Sequence, residues 1–582
     1  MKKSICLSVL VFFVLSVLRL SAQNPNAVLV TIGDDSVTIG EFISSYQKNN
    51  QLSNSTAEEI REYLDLYINF KLKVKEGKSL QIDTGRAFKA ELASYKNQSA
   101  QQYLIDKDVS DHLVQEALDR MKYNIRASHI LIECPYTASP KDTLTAYNKA
   151  IGIRNSVLNG MNFAEAAVKY SDDKSARDTV NPTTQKKQYG NKGDLGYFTV
   201  FNLIYPFESG AYNTPVGSVS MPVRTQFGYH LIYVYDKIPA VEFIKASQIF
   251  ISDSLAAQRE MSEETRAKIE KIKAALKGGE TFEKVVKEYS EDRVSREKDG
   301  ALEPFSPGRR AGDYVQALVS LRPGGISEPV PSTIGWHILR LDELVPVVVN
   351  DEAMYLLRSR IARDTRSHLS KQSLVEKLKK EYRYEEKGKR NAMKFFEKKL
   401  PSTYFQSTAV NIEELPGIDK LKPMFTFADQ QVTAKEFGRY LARFQGVNVE
   451  GPLNRFLEDR FTIFVEDKIL AYENSRLETK YPEFKELVRE YHDGMILYEI
   501  NSNRVWGKAL KDSAGLENYY QKIKFNYPAA ERDSATYKSF EEIRAIVITE
   551  YQDYLDKEWV KELKARYPVK IDEELFSTLL KR

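Results

Sequence analysis

The sequence predicts an α+β protein of several domains, in which two small antiparallel sheets with packed helices stand in tandem between mainly helical segments. Three observations predict this class: an internal repeat, short apolar strands alternating with helical periods in each copy, and long helical periods on both sides. The chain has 582 residues, enough for about three to five domains. Apolar residues make up 42% and charged residues 29%, which excludes a disordered chain and a polytopic membrane protein.

The first 22 residues have the layout of a secretory signal peptide. A basic start, Met1-Lys2-Lys3, is followed by an apolar run over residues 5–18 and by small residues before a predicted cleavage near Ala22. The apolar run is too short for a good membrane span, and no later stretch is long and apolar enough for one. We therefore expect an exported protein with no stable membrane insertion.

Charge and cysteine content narrow the class further. Lys and Arg number 85 against 81 Asp and Glu, and removing Lys2, Lys3 and Arg19 with the signal segment leaves 82 against 81, or +1. General nucleic-acid binding depends on a concentrated basic face, so no nucleic-acid partner is expected. Beyond the signal segment the chain keeps one cysteine, Cys134, which excludes an internal disulfide.

An internal repeat divides the middle of the chain into two copies. Three blocks recur, the first two at an offset of 119 and the third at an offset of 107: 127–132 as 246–251, 163–173 as 282–292, and 228–231 as 335–338. The difference of 12 residues falls in the polar stretch 174–192. The first copy therefore carries a longer loop, which we expect to be a mobile flap of unassigned role.

Each copy predicts strands and helices of one small domain. In the first copy, residues 125–132 form the apolar run of a buried strand, and helical spacing follows over 143–158. A second helix is indicated over 163–170, turn residues stand at 193–196, and a closing strand follows at 230–235. Almost no linker separates the copies, so we expect the two domains to touch.

The flanking segments are predicted to be mainly helical. In the front segment a strand–turn–strand pattern over 28–39 leads to helical periods at 58–77 and 88–121. The charged tail contains residues 425–437, which echo residues 30–42 at an offset of 395; a chance match is the alternative explanation. The predicted divisions are a signal peptide over 1–22, a front helical segment over 23–123, repeat domains over 124–238 and 242–345, and a helical tail over 350–582.

Five ordered blocks in the first copy resemble the parvulin family of peptidyl-prolyl cis–trans isomerases. The blocks are Ala127-Ser128-His129-Ile130-Leu131, Tyr170-Ser171-Asp172-Asp173, Gly193-Asp194-Leu195-Gly196-Tyr197-Phe198, Pro206-Phe207-Glu208 and Thr225-Gln226-Phe227-Gly228-Tyr229-His230. The full layout, with a signal peptide, a helical front segment, two such domains and a helical tail, resembles the SurA-type periplasmic chaperone–isomerases. The tail here is longer than the best-known members carry.

Matched position by position, the resemblance implies an active site in the first copy. The paired histidines of the family fall on His129 and His230, its central Cys or Asp on Asp173, and its hydroxyl residue on Thr225. The apolar residues that would hold the substrate proline ring, the last of them at the rim, are Leu195, Leu203, Phe207 and Phe227. Rotation about an X–Pro bond needs an apolar cup and a surrounding that favours the twisted amide, with no covalent step. The polar residues would form a hydrogen-bonded network, whose role is either catalytic or structural.

In the second copy the resemblance implies a degenerate site. The matching positions are Gln248, Asp292, Leu302, Arg310, Tyr314, Ser332, Ile334 and His337. Gln248 removes one histidine, and Arg310 places a charge where the pocket should be apolar. We therefore expect the first domain to be competent and the second to be degenerate.

Three other interpretations of these residues are disfavoured. A metal site built from His129, His230 and Asp173 has no short ligand spacing to support it, so neither a metal nor another cofactor is expected. Cys134 has no counterpart in the second copy, which favours a small core residue over a nucleophile. No basic cluster follows the first strand, so selectivity for phosphorylated substrates is not expected.

The function that combines these observations is an exported peptidyl-prolyl isomerase and chaperone. Its expected partners are unfolded or proline-containing polypeptides, in particular outer-membrane proteins, and its expected location is the periplasm. Two alternatives stay open: a non-catalytic holdase whose parvulin domains only bind peptides, and an envelope scaffold that serves one dedicated partner.

Overall fold

A computed structural model describes the protein over residues 24–48, 50, 52–181, 183–185, 187–348, 350–401, 404, 410–446, 452–530 and 533–580. The predicted signal peptide, residues 1–22, lies outside the described residues. Two compact units form the chain. The first joins residues 24–102 to residues 475–580, and the second spans residues 103–474. The predicted α+β class with small antiparallel sheets is confirmed.

The first unit is built on a sheet to which both ends of the described chain contribute. Strands Val28–Ile32 and Asp35–Thr38 form an antiparallel hairpin, and strand Val569–Ile571 adds to its Val28–Ile32 edge. Thr38 caps helix Ile39–Tyr46 by accepting the backbone N–H of Glu41. The front and the tail of the chain therefore share one sheet.

Helices from both halves of the first unit bury one common core. Leu29, Phe42 and Leu64 from the front pack in the same apolar cluster as Leu563 and Phe576 from the tail. The helices are Ile39–Tyr46, Ala57–Ser79, Arg86–Ala100, Pro482–Asn501, Gly507–Lys511, Ser513–Ile523, Arg544–Arg566 and Glu573–Leu580. A short hairpin, Pro528–Ala530 with Asp533–Tyr537, completes the unit.

In the second unit, the first repeat domain has a four-stranded antiparallel sheet. In spatial order its strands are Asp194–Phe198, Tyr123–Glu133, Gly228–Pro239 and Val223–Thr225. Its helices are Pro140–Leu158, Phe163–Tyr170 and Tyr205–Asn213. The long loop contains a two-stranded hairpin, Thr179–Val180 with Lys187–Gln188, and its Tyr189 hydroxyl accepts a hydrogen bond from Gln258 of the second repeat domain.

The second repeat domain repeats this sheet with one strand fewer. Its strands, in spatial order, are Val330–Pro331, Gly335–Pro346 and Val241–Ser252. Its helices are Glu263–Lys277, Phe282–Tyr289, Arg293–Arg296 and Gly312–Val319. The domains touch, as expected: the buried Arg126 guanidinium lies 2.7 Å from Asp194 in its own domain and 2.6 Å from Asp313 in the second.

The remaining part of the second unit is helical and has a core of its own. Its helices are Lys107–Met121, Asp351–Arg363, Ser367–Glu381, Lys389–Lys399, Ala434–Leu441 and most of Leu453–Lys480. Strands Phe425–Phe427 and Gln430–Val432 form a hairpin before a helix that Thr433 caps. This is the strand–turn–strand–helix order of residues 28–46, so the echo at offset 395 corresponds to a shared local structure.

Two sequence-based expectations differ from the structure. The predicted segments 23–123 and 350–582 are each divided between the two units, because packing joins the two ends of the described chain in one core. The helical period over 88–121 is also two helices, interrupted at 101–106. Asp106 ends the interruption, where its N–H donates to the Ser370 carbonyl and its carboxylate accepts from Ser373.

Candidate active site

The sheet of the first repeat domain brings the two predicted histidines onto one face. Strand Tyr123–Glu133 carries His129, and the neighbouring strand carries His230 opposite Leu131. Side chains two residues apart along a strand share a face, so His129 and His230 are diagonal neighbours. Both are buried, at 8% and 5% exposure. His129 and His230 are 101 positions apart in the sequence, and the register of the two strands brings them together.

Four of the predicted polar residues form one continuous hydrogen-bonded relay. His129 Nε2 lies 2.9 Å from Asp173 Oδ2, and His129 Nδ1 lies 3.3 Å from His230 Nδ1. His230 Nε2 lies 2.8 Å from Thr225 Oγ1. The Thr225 hydroxyl oxygen also accepts the Phe227 backbone N–H at 3.1 Å. The structure therefore brings together all four residues that the resemblance placed at the polar site.

The relay has one proton arrangement that satisfies every member with neutral imidazoles. Because Asp173 accepts, His129 donates from Nε2 and leaves Nδ1 as an acceptor. His230 then donates from Nδ1, and its Nε2 accepts the Thr225 hydroxyl proton. The Thr225 oxygen is left to accept from the Phe227 N–H, which matches the observed contact. Both tautomers are fixed by their neighbours, and no proton of the relay is left over for the pocket.

The electrostatics of the site agree with neutral histidines. Burial, with a smaller contribution from the neighbouring His129, lowers the pKa of His230 to about 3 against the opposing charge of Asp173. Burial also lowers the pKa of His129, against the opposing charge of Asp173. Burial opposes ionisation of Asp173, but hydrogen bonds from Ser175 and His129 outweigh it and hold the pKa of this carboxyl below its ordinary value.

The predicted apolar residues line one side of this relay. The Phe207 ring meets the rings of His230 and His129 edge-on, with centroids 5.2 and 5.7 Å apart. Phe207 is buried on helix Tyr205–Asn213, and the half-buried Leu195 and Leu203 pack in the same apolar cluster. Phe227 is 53% exposed at the edge. We name Leu195, Leu203 and Phe207 the cup.

The second repeat domain keeps a relay although one histidine is missing. Gln248 occupies the strand position of His129: its Nε2 donates to Asp292 at 2.8 Å, and its Oε1 lies 2.9 Å from His337 Nδ1. Ser295 adds a donor to Asp292 at 2.6 Å, whereas Ser332 donates to the Gly335 carbonyl. A glutamine amide donates at one end and accepts at the other, which is what the neutral His129 ring does.

The cup is where the second site departs from the first. Tyr314 takes the place of Phe207 against His337, with centroids 5.2 Å apart, and its hydroxyl donates to Gln248. The Arg310 guanidinium lies over the Tyr314 and Phe305 rings, 5.7 and 5.2 Å from their centroids. Leu302 is half-buried in the neighbouring core, and Ile334 is 64% exposed. A hydroxyl and a cation therefore stand where the first domain presents apolar atoms.

Two residues at helix Tyr205–Asn213, which carries Phe207 and is named here the pocket helix, were not among the predicted site residues. Glu208 is fully buried beside Phe207, and it pairs with Arg366 from the helical part of the second unit. Glu208 could have been found, since a charged residue inside an otherwise apolar block is a local signal. Arg366 lies 158 positions away, and nothing near it in the sequence indicates its partner.

The first unit contains a separate cavity of about 350 Å³. Tyr63, Tyr67, Phe70 and the exposed Leu66 supply its apolar wall. Charged groups surround them, and Glu41 among these is held by Lys71 at 2.8 Å and Arg489 at 3.1 Å. The cavity therefore presents aromatic faces beside paired charges.

Two other features are absent from the described part of the chain. Nowhere in the described ranges do three or more His, Cys, Asp or Glu side chains cluster so that they could hold a metal ion. None of the described helices has the length and apolar character needed to cross a membrane. Cys134 is buried in the core of the first repeat domain.

Comparison with known families decides the nature of the repeat. A family model described as a PPIC-type PPIASE domain matches residues 248–343, and a second model of the same description matches residues 113–238. Both regions are parvulin domains. The matched regions include the relay residues His129, Asp173 and His230 of the first parvulin domain and Gln248, Asp292 and His337 of the second.

Several named proteins are similar to parts of this chain. Chaperone SurA of Hahella chejuensis is 29% identical over 252 residues, covering 43% of this chain and 55% of that protein. Chaperone SurA of Colwellia psychrerythraea is 26% identical over 322 residues, covering 52% of this chain and 68% of that protein. Among solved structures, the peptidylprolyl isomerase PrsA from Bacillus anthracis is 30% identical, covers 23% of this chain and 59% of that chain, and has a TM-score of 0.17.

The predicted resemblance to SurA-type proteins with two parvulin domains is confirmed by the two family-model matches and by the SurA relatives. The chain spans about half the length of several curated relatives, with 55% and 48% of the first two covered.

Proposed function

We propose that the first parvulin domain catalyses cis–trans isomerisation of X–Pro bonds in polypeptides, without a covalent step. The observation that carries this proposal is the cup: three apolar side chains are set against a relay whose two histidines are neutral and whose side-chain hydrogen bonds are made within the site. Such a site gives a proline ring an apolar surface to pack on and presents no cationic imidazole to the peptide.

The barrier that this site must lower is the resonance of the amide. The planar X–Pro amide has partial double-bond character in its C–N bond, and rotation costs about 20 kcal/mol. Rotation removes the resonance, and with it much of the charge separation between nitrogen and oxygen. An apolar surrounding therefore disfavours the planar amide more than the twisted one, and only such differential stabilisation accelerates the reaction.

The roles of the residues follow from where they lie. Leu195, Leu203 and Phe207 hold the pyrrolidine ring, and the exposed Phe227 covers the substrate peptide at the rim of the cup. His129, Asp173, His230 and Thr225 form a polar wall beside the cup. Its histidines are neutral, and the side-chain hydrogen bonds of all four residues are made to one another or to the Phe227 and Ser175 N–H groups, which hold the Asp173 charge. The relay keeps Phe207 and the strands in register while the peptide bond turns.

The second parvulin domain has a different role in this proposal, as an inactive copy. Arg310 and the Tyr314 hydroxyl occupy the region that corresponds to the cup. A proline ring placed there would have to desolvate a guanidinium without pairing it, which is unfavourable. The relay around Gln248 then has only a structural role, which is to hold the strands of the second domain in register.

The helical parts serve as a chaperone for unfolded polypeptides, including outer-membrane proteins, in the periplasm. The aromatic cavity of the first unit supports peptide binding, and the signal-like residues 1–22 support export. The SurA relatives are named as chaperones, which supports binding of unfolded chains in general and does not identify the clients.

Two assays on the full chain test this proposal. The first measures isomerisation of a short X–Pro peptide, and acceleration above the uncatalysed rate is expected. The second measures aggregation of unfolded outer-membrane proteins and of unrelated unfolded soluble proteins, and suppression of both groups is expected. Suppression without acceleration would identify a non-catalytic holdase, and activity toward one partner alone would identify a scaffold.

A further inference from the structure

A buried carboxylate lies directly beside the cup. Glu208 follows Phe207 on helix Tyr205–Asn213 and is 0% exposed. Its Oε1 accepts from Arg120 at 2.7 Å, and its Oε2 accepts the Phe201 backbone N–H at 2.7 Å. Neither of these two donors belongs to the polar relay, so Glu208 forms a second set of contacts around the cup.

The main partner of Glu208 comes from outside the parvulin domain. Arg366 lies between helices Asp351–Arg363 and Ser367–Glu381, and its guanidinium donates to both Glu208 oxygens at 3.2 and 2.9 Å. This side chain is fully buried, with the guanidinium over the Phe201 and Tyr205 rings at 4.2 and 4.7 Å. A two-pronged pair of this kind fixes direction as well as distance.

Asp364 holds the arginine from the opposite side. Its Oδ1 accepts from Arg366 Nε and from the Arg366 backbone N–H, both at 2.9 Å. Arg366 is thus set in one orientation by its own segment before it reaches Glu208. The helical segment therefore presents an oriented guanidinium to Glu208 on helix Tyr205–Asn213.

The loop that carries Leu203 depends on the same carboxylate. Phe201 has φ of +64°, a left-handed conformation that costs a non-glycine residue energy unless its surroundings hold it. Glu208 accepts the N–H of this residue, and Arg366 and Arg360 cover its ring. Leu203 follows two positions later. Glu208 therefore joins the loop that carries Phe201 and Leu203 to helix Tyr205–Asn213.

We propose that Glu208 is a positioning residue for the cup, and that Arg366 makes the helical segment after the second parvulin domain a necessary part of the isomerase site. The inference rests on the proposed isomerase function for its activity readout. It goes beyond that function because it assigns cup geometry to a residue outside both parvulin domains. Loss of the pair should loosen Leu203 and Phe207 while the relay stays in place.

The chain offers a matched control for this contact. Arg358 and Asp111 form an ion pair at 2.8 Å between helices Asp351–Arg363 and Lys107–Met121, with side-chain exposures of 55% and 64%. It links the same segment to the helix that carries Arg120, but it is exposed to solvent. Screening makes such a pair weak, so Arg358→Met removes a comparable charge without touching the cup.

The test uses three full-length variants: Glu208→Gln, Arg366→Met and Arg358→Met. Amide hydrogen exchange is measured over residues 199–213 and, as an internal reference, over strand Tyr123–Glu133. Glu208→Gln and Arg366→Met should raise exchange in 199–213 at least tenfold and leave the reference strand within threefold. Arg358→Met should change neither region. The double variant Glu208→Gln with Arg366→Met should raise exchange no more than the stronger single variant does, since both changes disrupt the same Glu208–Arg366 pair.

Isomerase kinetics give the second readout. KM for a short prolyl peptide should rise at least fivefold in Glu208→Gln and Arg366→Met, with kcat changed less than twofold, because a displaced cup binds the ring poorly. If Glu208→Gln and Arg366→Met raise exchange in 199–213 and in strand Tyr123–Glu133 by the same factor, the effect is general destabilisation and the proposal is overturned. The proposal is also overturned if the exchange rates and KM values of these variants equal those of Arg358→Met. If the unchanged protein has no isomerase activity, the proposed function fails, and the exchange comparison still decides the positioning role.

Discussion

Replacing His129 by glutamine should leave the relay of the first parvulin domain intact, whereas replacing it by leucine should break it. The second domain shows why, since Gln248 at the matching position donates to Asp292 and accepts from His337. In the first domain a glutamine would donate to Asp173 and accept from His230 in the same way. A leucine of similar size can do neither.

The magnitude follows from the groups that leucine leaves without partners. The His230 Nδ1–H is buried, and an unsatisfied buried donor costs about 1–3 kcal/mol. Asp173 loses one donor but is 29% exposed, so water recovers most of that contact. His129→Leu should therefore destabilise the domain by about 2–3 kcal/mol and His129→Gln by less than about 1 kcal/mol.

Amide exchange in strand Tyr123–Glu133 measures this difference locally, which avoids treating a chain of several domains as two-state. At about 1.4 kcal/mol per factor of ten, leucine should speed exchange of the most protected amides by about 30- to 150-fold. Glutamine should speed it less than about fivefold. Equal effects of the two substitutions would refute the relay as a hydrogen-bonded unit and would make His129 a packing residue.

Two further predictions concern pH and the shared sheet. Because burial lowers the folded pKa of His230 to about 3 and that of His337 to about 4, stability is full above the unfolded pKa near 6.5 and is lost as pH falls. On going from pH 7 to pH 5, each histidine should lower the free energy of unfolding of its domain by about 2 kcal/mol. If the free energy of unfolding measured by amide exchange is the same at pH 7 and pH 5, the histidines are not buried in the neutral form. Proline at Lys570, which pairs with Thr31, removes a ladder donor; exchange in strand Val28–Ile32 should rise at least about tenfold. Lys570→Ala is the control, and equal exchange in the two variants would mean that the tail strand does not hold the front hairpin.

The parts of the site that could be predicted from the sequence are those that lie within one repeat. Strand alternation places His129 and His230 on one face, and the constant offsets identify Gln248, Tyr314 and His337 as their counterparts. The interpretation of Gln248 as the loss of a functional group was incomplete, because the sequence shows a missing histidine and only the geometry shows that an amide spans the same gap.

The parts that could not be predicted depend on contacts between distant segments. Strand Val569–Ile571 pairs with Val28–Ile32 across more than 500 residues, and a three-residue strand has too little pattern to indicate a partner. Arg366 presents the same difficulty, since an isolated arginine in a charged helical region resembles any surface arginine. Long-range packing decides both, and local propensity does not report it.

The most direct test of the central assignment compares Phe207→Ala with Tyr314→Ala in the full chain. Both residues are buried, at 4% and 5% exposure, against the histidine of their own relay, so the two truncations are matched in burial and ring size. Isomerisation of a short X–Pro peptide is measured for both and for the unchanged protein, with exchange in each domain recorded to correct for unfolding. We expect Phe207→Ala to lower kcat/KM at least about 100-fold, the loss of roughly 3 kcal/mol of binding to the ring, and Tyr314→Ala to leave it within twofold. A loss of activity in Tyr314→Ala with activity retained in Phe207→Ala would place the isomerase site in the second domain and contradict the assignment.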